Sequence, residues 1–161
     1  MKNKSYKTII LSGPVGTGKS SALMEWVKSN NACGFITPTV ENKKMLYDIS
    51  SASYYDYEID EGNEDTTSIG KYFLSRKAFE ISDKIIDAAI KSYCKCFVLD
   101  EVGKLELNEQ GHYKGLLKLL QSYKETLILV VREQLVEEVI LKFQLKDCII
   151  LKREEMINYQ L

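Results

Sequence analysis

The sequence predicts an α/β domain of three layers, a mainly parallel sheet with helices on both faces, and three observations predict it. Uninterrupted apolar runs from Thr8 to Leu11, Cys96 to Leu99, Thr126 to Val131 and Cys148 to Leu151 lack polar alternation, as strands buried on both faces do. Segments with helical apolar spacing separate these runs. A glycine-rich turn joins the first run to the first helix. The chain has 161 residues, which fits one domain with a single sizeable core, so residues 1–161 are read as a single domain.

Taken in order, Thr8 to Leu11 is the first strand, and Ala22, Leu23, Trp26 and Val27 mark a helix from Ser20 to Lys28 that Asn30 and Asn31 end. Gly34 to Val40 reads as a second strand, with Pro38 placing its end at an edge or bulge. Polar Glu41 to Lys44 turns it into a hairpin with Met45 to Ile49. Ser50 to Asp65 reads as a loop holding one strand, and Gly70 to Ser75 as a further strand. Phe79, Ile81, Ile85, Ile86, Ala89 and Ile90 give an amphipathic helix between Arg76 and Tyr93. After the strand ending at Leu99, Leu116 to Leu120 marks a helix. After Val131, the apolar residues from Leu135 to Phe143 mark another, and Cys148 to Leu151 is the last strand.

Composition excludes several classes. Lys and Arg (22) nearly balance Asp and Glu (23), so no net field draws the chain to nucleic acid or to an anionic membrane. No apolar run reaches the ~20 residues of a membrane span. Basic Met1 to Lys7 precedes too short an apolar segment for a signal peptide and reads as a solvated lead-in. Cys33, Cys94, Cys96 and Cys148 show neither CxxC spacing nor a neighbouring histidine, so they are expected to be inert thiols in a reducing compartment, the cytoplasm.

The chemistry concentrates in two motifs. Gly13-Pro-Val-Gly-Thr-Gly-Lys-Ser20 fits G-x-x-x-x-G-K-[ST] between a strand and a helix. Gly13, Pro14, Val15, Gly16, Thr17, Gly18, Lys19, Ser20 and Ser21 are therefore the nucleotide-binding residues. Glycines let successive N–H groups face a phosphate, and the helix adds its positive end. Lys19 brings a cation to the β- and γ-phosphates, and the Ser20 hydroxyl is a magnesium ligand. The second motif is Phe97-Val-Leu-Asp100-Glu101, two carboxylates at the tip of a core strand, where ligands of open α/β sheets bind. Asp100 is the second magnesium ligand and Glu101 the base that orients the attacking water. A solvated acidic turn is the alternative for the pair in isolation.

Asp100-Glu-Val-Gly-Lys-Leu-Glu-Leu107 resembles the D-E-[IV]-G-x-[ML]-E-L signature of the small cancer-related and thermophile nucleoside-triphosphatase family. Gly34-Phe-Ile-Thr37, Gly70-Lys-Tyr72 and Phe79-Glu80 resemble further family landmarks, in the family's order. The resemblance implies a RecA-like P-loop domain with a β-hairpin insertion. It also implies slow magnesium-dependent hydrolysis of ATP, GTP and other nucleoside triphosphates, with Glu101 as base and Lys104 near the phosphates. Residues 47–68, acidic and tyrosine-rich, and the step from Val131 to Glu133 match no family pattern.

Other residues keep two readings. Arg132, directly after a core strand, is either an arginine finger on the γ-phosphate or surface charge beside Glu133. Arg76 either faces the crevice or the solvent. Glu106 either packs and hydrogen-bonds near the magnesium loop or carries unassigned chemistry. His112 is expected to face solvent. Tyr47, Tyr54, Tyr55 and Tyr57 either stack on a base or build a half-buried edge strand. The leading function is a magnesium-dependent nucleoside triphosphatase of broad base preference. A nucleotide-dependent switch with an unidentified protein partner is the first rival. A small kinase is the second, disfavoured because Arg76, Arg132 and Arg153 are the only arginines available for a lid.

Overall fold

The computed structural model describes residues 7–62, 65–69 and 71–161. Gly70 and most of the basic N-terminal lead-in, readings of the sequence, lie outside them. The elements run β1 (Thr8–Gly13), α1 (Lys19–Lys28), β2 (Ala32–Ile36), β3 (Thr39–Val40), β4 (Lys43–Asp48), β5 (Ser53–Asp56), β6 (Thr66–Ile69), β7 (Tyr72–Ser75) and α2 (Arg76–Ile90). They continue with β8 (Cys96–Val102), α3 (Lys104–Leu107), α4 (Tyr113–Ser122), β9 (Thr126–Arg132), a single 3-10 turn (Glu133–Leu135), α5 (Val136–Lys142), β10 (Ile149–Leu151) and α6 (Arg153–Ile157). Among the described residues, no helix is long and apolar enough to cross a membrane.

The main sheet has the order β10-β1-β9-β8-β2-β4-β3, with β5 paired to β4. Strands β10, β1, β9, β8 and β2 are mutually parallel, and β4 runs antiparallel to β2. The predicted three layers are present, because successive residues on each core strand feed opposite cores. Ile9, Leu11, Val98, Ile128 and Val130 pack with Leu23 and Trp26 of α1 and Met156 of α6. Ile10, Phe97, Leu99, Leu127 and Leu129 pack on the other face with Ile86 of α2, Leu116 and Leu119 of α4, and Val139 of α5. Phe35, Phe97 and Leu99 are fully buried, and each such side chain contributes about 1.5–3 kcal/mol. Gly34 holds β2 tightly against β8: its φ is +101°, and a Cβ there would lie 2.1 Å from the Val98 carbonyl oxygen.

The inserted strands β3, β4 and β5 join the sheet beyond β2, and the separate β6–β7 hairpin is bridged to them at Glu58 and Leu74. Lys44 and Tyr72 share a cavity with Glu101 and Arg132 at the ends of β8 and β9. The β4–β5 pair is the edge-strand alternative for the tyrosines: Tyr47 and Tyr54 stand opposite each other with ring centroids 4.8 Å apart. Tyr57 turns inward instead and is buried against Phe79 and His112.

Two expectations are corrected here. His112 does not face solvent; it is 1% exposed and lies among Phe35, Tyr57 and Phe79, with Nδ1 3.1 Å from the Ser82 hydroxyl. The polar residues around it in sequence form a turn that tucks the ring under α2. Nor are the cysteines four separate thiols. Cys33 and Cys94 form a disulfide, because parallel pairing of β2 with β8 brings the starts of both strands together; Cys96 and Cys148 stay free.

Candidate active site

The phosphate loop occupies the step from β1 to α1. Gly16 and Gly18 adopt φ of 77° and 78°, the left-handed region where side chains are strained. Gly18 is the N-cap of α1 and supplies no side-chain cap, so the first N–H groups of the helix stay available to an anion. Lys19 folds back over the loop, and its Nζ donates to the carbonyls of Gly13 (2.9 Å) and Pro14 (2.7 Å). Burial lowers its pKa, while Glu101 and Asp100 pull it back up.

The two motifs meet. The Ser20 hydroxyl donates to Asp100 Oδ2 at 2.7 Å, and the Thr37 N–H donates to the same oxygen at 3.1 Å. Asp100 is 2% exposed, and burial raises its pKa against these two hydrogen bonds. A hydroxyl and a carboxylate in contact are hard oxygen donors of the kind magnesium takes. Among the described residues no group of three or more His, Cys, Asp or Glu could hold a metal ion. Phosphate oxygens and water would therefore complete its shell, as magnesium prefers.

The peptide bond between Asp100 and Glu101 is cis, and the β8–β9 register shifts between Asp100 and Val102. Glu101 is half-buried. Its Oε1 accepts from Arg132 Nε at 2.7 Å, and Lys44 Nζ lies 3.6 Å from Oε2. The sheet order explains the first contact. β9 lies between β1 and β8, and Arg132 is paired with Gly13 in register. Its guanidinium therefore emerges on the phosphate-loop side of the sheet and pairs with Glu101.

Glu106 follows the hydrogen-bonding alternative. Its Oε2 accepts from the Gly103 N–H and its Oε1 from the His112 N–H, both at 2.8 Å. Burial pushes its pKa up to about 7, against the pull of those donors. Lys104 opens α3 and lines a cavity of about 280 Å³ beyond Glu101, walled also by Lys44, Lys71, Tyr72 and Arg132. Arg76 is not part of this crevice; it is exposed beside a separate cleft with Phe79, Glu80 and Gln110.

Two residues of the site escaped the sequence reading. Lys44, taken as a turn residue, reaches Glu101 from the hairpin. Arg153 lies over the loop, its Nε 3.2 Å from where a Cβ on Gly18 would stand, and that nitrogen is buried without a partner. It borders a second cavity of about 470 Å³ with Pro14, Thr17, Val136 and Ile150. Its position after the last core strand, parallel to that of Arg132 after β9, was the available signal.

The comparisons agree with this geometry. A family model described as NTPase matches residues 8–155. Among curated proteins none matches the chain by sequence. The fold is similar to that of a human cancer-related nucleoside triphosphatase solved in solution (18% identity, 94% of each chain covered, TM-score 0.70). It is also similar to that of THEP1 from the hyperthermophile Aquifex aeolicus (19% identity, 92% of this chain and 91% of that one, TM-score 0.71). With the family model spanning nearly the whole domain and the loop and carboxylate motif joined in space, the chain belongs to the small NTPase family.

Proposed function

We propose that the chain is a magnesium-dependent nucleoside triphosphatase that hydrolyses ATP, GTP and other nucleoside triphosphates to the diphosphate and phosphate. One observation carries the reading: Asp100 bonds Ser20 of the phosphate loop, and the next residue, Glu101, meets Arg132 at the tip of the intervening strand. The triphosphate lies along residues 13–21, and Lys19 exchanges the Gly13 and Pro14 carbonyls for phosphate oxygens. Ser20 and Asp100 would hold magnesium, which when bound neutralises charge on the β- and γ-phosphates. Glu101 takes a proton from the attacking water as its oxygen bonds to the γ-phosphorus. The bond from that phosphorus to the bridging oxygen breaks, and its electron pair departs on the diphosphate. Arg132 offsets the charge on the γ-phosphoryl oxygens. The nucleoside rests in the 470 Å³ cavity. A guanidinium plane from Arg153 and apolar Val136 and Ile150 suit any base, which supports a broad preference.

The test is diphosphate formation from ATP, GTP, CTP and UTP, with magnesium and with EDTA. Wild type turns over all four with magnesium only. Glu101→Gln binds nucleotide but turns over slower by about 10²-fold or more, and Lys19→Ala loses binding. Tight nucleotide binding by the wild type with no diphosphate formed overturns the reading. One observation favours a second reading, the nucleotide-dependent switch: both oxygens of Glu101 are engaged by cations, so turnover would await a group that draws them away.

A further inference from the structure

The cavity beyond Glu101 is a site distinct from the phosphate loop and from the Arg153 cavity. At about 280 Å³ it falls just below the usual range of small-molecule pockets. Its floor is apolar, from Leu74, Leu105 and Leu135, and Tyr57 and Tyr72 add aromatic faces. Four cationic side chains, Lys44, Lys71, Lys104 and Arg132, line it against two carboxylates, Glu101 and Glu106. Burial favours the protonated form of Glu106, which leaves the positive balance larger still. Two of the cations, Lys44 and Arg132, are the ones that occupy Glu101. Lys44 and Lys71 both approach the Tyr72 ring, at 5.4 and 5.3 Å from its centroid, so the aromatic face and the charge are presented together.

We infer that this cavity binds a small organic phosphate, its apolar body on the leucine floor and its phosphate among Lys44, Lys71 and Lys104, and that the bound phosphate draws Lys44 from Glu101 while Arg132 stays with the catalytic site. The site rests on the reading of Glu101 as base only for its consequence, not for its binding chemistry. A dianion outcompetes a single carboxylate for Lys44, because each phosphate oxygen accepts in its own direction. Glu101 Oε2 is then free to accept a proton from water, and turnover rises. An apolar floor with a cationic rim explains why the ligand carries a body as well as a charge: inorganic phosphate would forgo the contact with Leu74, Leu105 and Leu135.

Phenyl phosphate is the probe, with inorganic phosphate and benzoate as controls, in calorimetric titrations of the full chain without nucleotide. Phenyl phosphate is expected to bind more tightly than either control. Lys71→Glu, which reverses one rim charge outside the nucleotide site, weakens it about tenfold, and Lys19→Ala leaves it unchanged. In parallel, ADP formation from ATP rises on adding phenyl phosphate to wild type and not to Lys71→Glu. Affinity lost in Lys19→Ala and kept in Lys71→Glu places the probe on the phosphate loop and overturns the site. So does the lack of saturable binding up to about 10 mM. Binding that slows ADP formation overturns the release of Glu101. If the wild type forms no ADP under any condition, the titrations still decide the cavity, and the failure falls on the hydrolase reading alone.

Discussion

Glu106 carries the turn between β8 and α4, and its removal is the perturbation whose size the structure fixes best. The side chain is 3% exposed and satisfies two backbone N–H groups, Gly103 and His112, at 2.8 Å each. Glu106→Ala strands both donors, at about 1–3 kcal/mol apiece, and opens a small void, for a loss of about 3–5 kcal/mol. That is a large part of the ~5–15 kcal/mol typical of a domain. Glu106→Gln keeps the volume and one acceptor but turns an NH2 toward the other donor, costing about 1–3 kcal/mol. Burial also raises the carboxyl pKa from 4.5 to about 7. A folded value above the unfolded one means that the folded chain holds the proton more tightly. The resulting stability is whole below about pH 4.5 and is lost as pH rises through about 7, a change of about 3 kcal/mol. Glutamine cannot titrate. Urea unfolding of wild type and Glu106→Gln from about pH 5 to about pH 8 should therefore show the gap between them shrink by about 2–3 kcal/mol. Parallel curves across that window would mean that Glu106 stays charged when folded, and would refute the reasoning.

At the site, Arg132→Ala should lower turnover by about 10²-fold or more while nucleotide affinity changes little, because its charge counts most as the γ-phosphoryl leaves; single-turnover kinetics beside a binding titration separate the two effects. His112, pushed down to about 3 by burial, is neutral when folded. Its contribution is whole above about pH 6.5 and is lost at about 1.4 kcal/mol per unit as pH falls toward 3. His112→Leu should flatten that acid limb in urea titrations, and an unchanged slope would show that the ring is charged inside. Reduction of the Cys33–Cys94 disulfide, which closes a separation of 61 residues, should lower stability by up to about 4 kcal/mol; an unshifted urea midpoint with reductant would show that the link contributes nothing. Gly34→Ala should prevent folding or cost several kcal/mol, given the Cβ clash with Val98 and the positive φ; thermal melts of the purified variant test it.

The phosphate loop was legible because its chemistry is local. Eight consecutive residues hold the glycines, lysine and serine that set the N–H directions, and no distant contact is needed to specify them. The core strands were legible for a related reason: burial on both faces demands unbroken apolar runs, and those at β1, β8 and β9 have them. Helices α3 and α6, four and five residues long, are too short to display an apolar period. Strand β6, polar at Thr66, Thr67 and Ser68, is held by pairing with β7 rather than by its own pattern.

What only the tertiary structure decided depends on strand order. Placing β9 between β1 and β8 carries Arg132 to Glu101 across 31 residues of chain, and the hairpin brings Lys44 to the same carboxylate. Nothing within a few residues of either side chain encodes that meeting. The same holds for Arg153 above Gly18, for Cys33 beside Cys94, and for His112, whose polar neighbours in sequence pointed outward while the space under α2 drew the ring in. The sequence by itself determined the glycine-rich loop and the layers, since local backbone geometry and apolar periodicity encode both. Which charges surround Glu101 was settled by packing, because a long cationic side chain goes to whichever carboxylate the fold brings within its reach.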